Sequence, residues 1–452
     1  MLFNSFTFLL FFPITTLLYY LIPHKLRWGH LLIVSYGFYM NWNPSYALLL
    51  IGITMVSYIV GLFLERKRKR SVIIAGIIVC ILPLIVFKYM NFINDSIFSI
   101  LDYLGLRMKI PDFKLLLPVG ISFFTFKAIS YMIDVYKGKI LPEKNLGIYA
   151  LYISFFVDLA AGPIDRADKL IPQFREHRRF LPENIVKGLK LILWGYFMKV
   201  VVADRITLYV DPIFNNLDNH SGISVLLAAA LFSLQIYCDF GGYSYIAIGC
   251  GKAMGFNLMT NFERPYMANS VSEFWRRWHI SLSTWFRDYV YIPLGGNRCS
   301  ISRNRLNLLI TFTVSGLWHG ANWTFVVWGF LNGLFQIIDK KLKVKSVILT
   351  FILMTIAWTF FRANTMDDAI QALGMMFIPS GELYLPQMSL LLYIVMGITI
   401  LIFCDIIEER KGRHPLLENR YIIVRFVSYI MLTVMILAFG VFDGGQFIYF
   451  QF

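Results

Sequence analysis

Charge-poor apolar runs alternate along the chain with short basic clusters, and that alternation predicts membrane helices joined by loops. Residues 3–22, 71–92, 223–237 with its extension and 421–441 approach the roughly 20 apolar residues that a bilayer-crossing helix needs. The basic clusters are Lys25 and Arg27; Arg66 to Arg70; Lys137, Lys139 and Lys144; Arg166 to Arg179; Arg264 to Arg305; Lys340 to Lys345; and Arg410 to Arg413. Basic loops face the cytoplasm, so each apolar stretch between two clusters crosses an even number of times or enters and leaves on one side. Three stretches then become informative. Residues 30–63 carry no Asp, Glu, Lys or Arg and are interrupted by Asn41-Trp42-Asn43-Pro44, which predicts two helices at a proline-enforced break. Residues 146–161 are too short to go out and return and run into Gly162-Pro163, which predicts an interfacial or re-entrant helix. Residues 306–338 are broken by Ser315-Gly316-Leu317-Trp318-His319-Gly320, which predicts two half-helices with His319 at membrane depth. Residues 93–113 and 207–221 are polar enough to be exposed loops on the far side. With no repeat, linker or second composition regime, residues 1–452 form one polytopic all-α domain of roughly 10 to 12 membrane helices and half-helices.

Composition agrees with that pattern. Of 452 residues, 58% are hydrophobic and 15% charged, and mean hydropathy is +0.62. Soluble domains average about 25% charged residues, so a bilayer, and not water, is the expected solvent. The net charge of +15 would raise nucleic acid as a partner in a soluble protein, but here it sits between apolar runs and reads as topology instead. Five cysteines without CxxC spacing indicate neither a zinc site nor a disulfide framework, and free thiols are expected. The first residues lack a basic region and a small-residue cleavage site, so a retained first helix is expected. GxSxG, HExxH and Walker A patterns are absent, which leaves serine-hydrolase, zinc-protease and NTPase readings without support.

Ionisable groups at membrane depth are costly and become functional candidates for that reason. His24, His177, His220 and His414 fall in predicted loops and His30 at a helix start, where solvated roles are expected. His319 is flanked by tryptophans and by Gly316, Gly320 and Ala321, small neighbours that let a substrate or another helix approach the imidazole. It suits a general base; a buried histidine bridging two helices is the competing role. His279 stands among alternating Trp and Arg residues on an expected interfacial helix, where most of those aromatics and arginines serve as headgroup contacts. Asp239 ends an apolar run and would pair with a base or orient a histidine. The run Tyr291 to Arg298, with Gly295-Gly296, is either a phosphate-cradling loop or an ordinary turn.

Five segments taken together resemble the membrane-bound O-acyltransferase family: PVGISFFTFKAISYMIDVYKG (118–138), AGPIDR (161–166), QIYCDFGGYSYIAIG (235–249), EFWRRWHISLSTWFRDYVYIPLGGNR (273–298) and SGLWHGANWTFVVWG (315–329). They lie in a motif core of 118–333 and resemble the bacterial alginate O-acetylation subgroup, with teichoic acid D-alanyl transfer more distant. The resemblance implies a ring of membrane helices around a thinned centre, with His319 matching the catalytic histidine and His279 the second motif histidine. The chain departs from the subgroup at Gly241 and Tyr245, where Ser and Asp are common, and at Asp158, where His is frequent.

A mechanism follows from the resemblance. An acyl thioester, acetyl-CoA or another, enters where Arg276, Arg277, Arg287 and Arg298 gather, and an acceptor hydroxyl approaches from outside. His319 acts as base or transient acyl carrier, Trp318, Asn322 and His279 orient the groups, and Asp239 stands with the substrate-side residues. No bound cofactor, metal or nucleic acid is expected. The implied setting is the bacterial cytoplasmic membrane, with a separate extracytoplasmic acetyltransferase or carrier receiving the acyl group for O-acetylation of a surface polysaccharide. Two alternatives remain at this point. One is D-alanyl transfer to teichoic acid, and the other a proton-coupled transporter or flippase using His319 and Asp239 as a relay.

Overall fold

Inside a bilayer a backbone amide finds no water, so an isolated apolar run closes its own hydrogen bonds as a helix. The computed structural model describes residues 1–106, 116–159 and 162–442, and every regular element among them is helical. Five helices there are long and apolar enough to cross a membrane: Tyr46–Arg66, Arg70–Tyr103, Gly222–Ala253, Met388–Lys411 and Ile422–Phe439. Phe6–Leu21 and Val347–Arg362 are apolar but shorter. Leu48, Ile348 and Leu437 on these helices are more than 70% exposed, as side chains facing lipid would be. The chain gathers into two units, Met1–Asn184 with Met254–Leu258, and Ile185–Ala253 with Met259–Phe452.

In the first unit the break at residues 41–45 falls between His24–Met40 and Tyr46–Arg66, as the sequence predicts. Leu146–Ser154 is a nine-residue helix, about 13 Å long, and most of it is buried. The stretch that follows it includes residues 160 and 161, which lie outside the described residues, so Ala161 of AGPIDR is not placed. The far-side loop expected at 93–113 is corrected over its first part. Residues 93–103 continue the helix Met90–Tyr103, because Ile93, Ile97, Ile100 and Leu101 recur at helical spacing, while 107–113 lie outside the described residues. Ile121–Tyr136, buried along nearly its whole length, carries Lys127 inside the unit.

In the second unit the loop expected at 207–221 is instead the helix Asp204–Phe214 and a short 3-10 turn, Leu217–Asn219. Ile206, Tyr209, Val210, Ile213 and Phe214 form a buried stripe at helical spacing, and the polar residues that suggested a loop lie between them. Two glycine pairs let Pro182–Tyr196 and Gly222–Ala253 approach closely. A Cβ at Gly188 would lie 2.6 Å from Gly249 O, and one at Gly195 would lie 2.6 Å from Gly242 O.

The 306–338 stretch is a hairpin of two full helices, Ile301–His319 and Trp323–Leu342, and not the expected half-helices. Ser315 and Gly316 do not break the first helix. Gly316 is a contact surface: a Cβ there would lie 2.2 Å from Phe325 O, and one at Gly329 would lie 2.3 Å from Phe312 O. The chain turns only after His319, where Asn322 caps the second helix by accepting from Thr324 N. Gly316→Ala must therefore push the helices apart. We expect it to cost about 1–3 kcal/mol, the usual range for overpacking, read as a lower thermal midpoint of the detergent-purified chain. An unchanged midpoint would mean that the hairpin is looser than this contact implies.

Candidate active site

His319 is the last residue of its helix, so the turn at 320–322 begins directly beyond it. Its ring is 3% exposed and meets three aromatic rings close to edge-on: Trp328 at 4.9 Å, Trp318 at 5.0 Å and Phe361 at 5.5 Å between centroids. That aromatic box keeps bulk water away from the imidazole. Trp318 also touches His279, 6.2 Å away, so the two histidine motifs meet across one indole.

His279 is not on a helix, as the sequence suggested, but between two short ones, Val271–Arg277 and Ile280–Phe286. Its backbone lies in the left-handed region at φ 41°, rarely adopted by residues other than glycine. Asn261 holds the turn: its carbonyl accepts from Ile280 N at 2.9 Å, and its Oδ1 accepts from Ser281 Oγ at 2.9 Å. That same Oδ1 lies 3.0 Å from His279 Nδ1, which puts the ring proton on Nδ1 and makes Nε2 the acceptor. The imidazole is fully buried against Phe240.

A cavity of about 560 Å³ opens beside this cluster. Its exposed lining includes Arg276, Arg287 and Lys340, and its buried lining includes Trp275, Gln336 and Ser315. Ser315 precedes His319 by one helical turn, roughly 6 Å along the axis. Three cations beside an otherwise largely apolar lining suit a ligand that carries an anionic group. Of the four arginines singled out in the sequence, Arg276 and Arg287 line the cavity, and Arg287 also holds Asp288 at 2.8 Å. Arg298 is exposed outside it. Arg277 is committed elsewhere, to Glu273 at 2.6 Å and Glu409 at 2.9 Å, in a network that Arg264 extends to Glu408 at 3.0 Å. Burial alone would raise the Glu273 carboxyl, but the Asn269 amide and Arg277 outweigh it and hold that carboxyl below the ordinary range.

Residues 144–381 match the MBOAT, membrane-bound O-acyltransferase family. The chain belongs to the MBOAT family. It is 40% identical over 392 residues to the probable alginate O-acetylase of Pseudomonas aeruginosa, covering 83% of this chain and 75% of that protein. The peptidoglycan O-acetyltransferase of Helicobacter pylori is 34% identical, over 76% of this chain and 72% of its own. The teichoic acid D-alanyltransferase of Streptococcus thermophilus is 30% identical, over 59% and 64%. The chain is therefore a multi-pass membrane O-acyltransferase, and the transporter alternative falls.

Other residues of this MBOAT protein are held by structural partners. Asn322, besides capping its helix, donates to Asn364 O at 3.0 Å. The carbonyl of Gly296 accepts from Asn304 and Asn307 side chains at 3.0 and 3.2 Å, which fastens the glycine turn. Among the described residues no group of three His, Cys, Asp or Glu could hold a metal. His414, expected to be solvated, is buried against Trp194, and its Nδ1 accepts from Leu416 and Leu417 amides.

Two buried lysines escaped the sequence reading. Asp239, near the middle of Gly222–Ala253, takes Lys199 Nζ, which also lies 2.8 Å from Asp204 Oδ1. In the first unit Lys127 donates to both oxygens of Asp158, at 2.9 and 2.8 Å. Asp158 is thus half of a buried ion pair. A single lysine inside an apolar run was the signal that could have found either one.

Proposed function

We propose that this O-acyltransferase takes an acetyl group from a thioester reaching it from the cytoplasm and passes it to a hydroxyl on the outer side. It would thereby serve O-acetylation of an extracytoplasmic polysaccharide, an alginate-like polymer, peptidoglycan or another surface glycan, from the bacterial cytoplasmic membrane. The carrying observation is the cavity, with three cations in its exposed lining and Ser315, one turn from His319, in its buried lining. The names of the relatives, O-acetylase and O-acetyltransferase, support acetyl as the group moved.

Arg276, Arg287 and Lys340 would bind the phosphates of acetyl-CoA or of another phosphate-bearing thioester, with charge-assisted contacts. The thioester then lies along Trp275 and Ser315 with its acyl end toward His319. His319 accepts the proton of the acceptor hydroxyl while the hydroxyl oxygen bonds to the carbonyl carbon. The carbon–sulfur bond then breaks, and the thiolate takes up the proton. Trp318 and His279 fix the imidazole, Asn322 holds the turn beside it, and the whole chain works as one domain. A separate extracytoplasmic protein would complete transfer to polymer, since the acyl group crosses the membrane and the carbohydrate need not.

The test uses the full chain in lipid vesicles with radiolabelled acetyl-CoA. Arg276→Gln with Lys340→Gln is expected to raise donor KM roughly 100-fold or more with kcat little changed, because each charged hydrogen bond contributes about 1.5–3 kcal/mol. Unchanged KM would remove the cavity from the donor route. The 30% identity to a teichoic acid D-alanyltransferase keeps D-alanyl transfer as the second reading. Transfer from a D-alanyl carrier protein but not from acetyl-CoA would select it.

A further inference from the structure

Buried indole N–H groups nearly always find an acceptor. Trp328 is wholly buried, and its Nε1 has no hydrogen-bond partner among the described residues. Its surroundings explain why. Rings enclose it: His319 at 4.9 Å, Phe361 at 5.3 Å, Trp358 at 5.5 Å and Trp275 at 5.7 Å. Asn332, one turn further along the same helix, could have offered an oxygen, but its Oδ1 is taken by Trp275 Nε1 at 3.2 Å. The Asn332 amide nitrogen donates back to Trp328 O at 2.8 Å. Of two adjacent indoles, the one lining the cavity is satisfied, and the one touching the His319 ring is not.

We propose that Trp328 Nε1 is a catalytic hydrogen-bond donor, reserved for the carbonyl oxygen of the acyl group under attack beside His319. The inference rests on the acetyl-transfer reading given above. As the hydroxyl oxygen bonds to the carbonyl carbon, the carbonyl π electrons move onto oxygen and create a negative charge. That charge collapses back when the carbon–sulfur bond breaks, the hydroxyl proton having gone to His319 and then to the thiolate. A fixed N–H that reaches this oxygen acts on the transition state far more than on the bound donor, because the charge exists only there. The rings around Trp328 are packed and largely apolar, so a donor held among them needs no reorganisation. Trp275, Phe312 and Ser315 are in the cavity's lining, and Trp275 packs directly on Trp328.

Trp328→Phe keeps an aromatic ring in the box and removes only the donor. Measured on the full chain in lipid vesicles with radiolabelled acetyl-CoA, it should lower kcat by about 10²–10³ and leave donor KM and the thermal midpoint close to wild type. A wild-type kcat overturns the proposal, and so does a rise in KM at constant kcat or a loss that tracks a fallen midpoint. Should the variant fail to insert, the wild-type protein decides. A coenzyme A thioether bearing a 2-oxopropyl group, carbon-13 labelled at its carbonyl, should show a C=O stretch lowered below its value in hydrocarbon, and an unlowered stretch overturns the proposal. Absence of transfer by the wild type overturns the acetyl-transfer reading and this inference together. Wild-type transfer undiminished in Trp328→Phe overturns this inference alone.

Discussion

An His319→Ala variant inserted at wild-type level is expected to lose acyl transfer by about 10²–10⁴, the usual contribution of a positioned general base. The size of the effect follows from the surroundings of the ring. Trp318, Trp328 and Phe361 pack against the imidazole, so a water molecule entering after truncation would sit among aromatic faces and gain little basicity there. His319→Gln fills more of the space and should be equally inactive, because an amide accepts no proton at neutral pH. The measurement is the O-acetyl content of surface polysaccharide and peptidoglycan in cells carrying wild type, each variant or no protein, with membrane levels compared. If acetyl content in His319→Ala equals that of wild type, the mechanism as drawn is wrong. If it equals that of cells without the protein, the polymer that lost acetyl groups names the acceptor.

The second large effect is on stability. Lys199 is 1% exposed and serves two buried carboxylates, Asp204 and Asp239. Lys199→Met keeps the length of the side chain but leaves both carboxylates without their ammonium. Breaking a buried pair from one side costs about 3–5 kcal/mol, because the remaining charge has lost its partner and cannot return to water. Asp204→Asn should cost less, since Asp239 still neutralises the lysine. Thermal unfolding in detergent, or resistance of the membrane-inserted chain to protease, gives the comparison. A Lys199→Met chain as stable as wild type would show that the cluster adds nothing to the fold.

Local pattern predicted much of this molecule, and its failures have a common cause. The break at Asn41 to Pro44 was legible because proline removes a backbone donor and disfavours helix before it. The convergence of His319 and His279 was legible only through family resemblance, since nothing local says that Trp318 will lie between them. The glycines of the hairpin misled for a clear reason. Gly316 looks the same in sequence whether it ends a helix or admits another helix, and only Phe325, across the turn, decides. Residues 207–214 were misread because Asp211 and the polar residues from Asn215 to His220 drew attention from the apolar stripe that ends at Phe214. Asn261, Lys199 and Lys127 were missed because each draws its meaning from partners distant in the chain. The four arginines were alike in sequence, and tertiary structure separates them: two line the cavity, one is locked to Glu273 and Glu409, and one faces outward.

The aromatic box has an optical consequence. Five of the ten tryptophans belong to it or adjoin it: Trp275, Trp278, Trp318, Trp328 and Trp358. Four of them form an unbroken chain of indoles, with centroids 5.7 Å apart between Trp275 and Trp328, 5.5 Å between Trp328 and Trp358, and 4.9 Å between Trp358 and Trp278. Chromophores that close share their excitation, and their near-ultraviolet signal depends on the fixed packing around them. The intrinsic fluorescence and circular dichroism of this protein are thus weighted toward the rings around His319. A donor settling against Trp275 would change the light the protein absorbs and emits before any bond is made or broken.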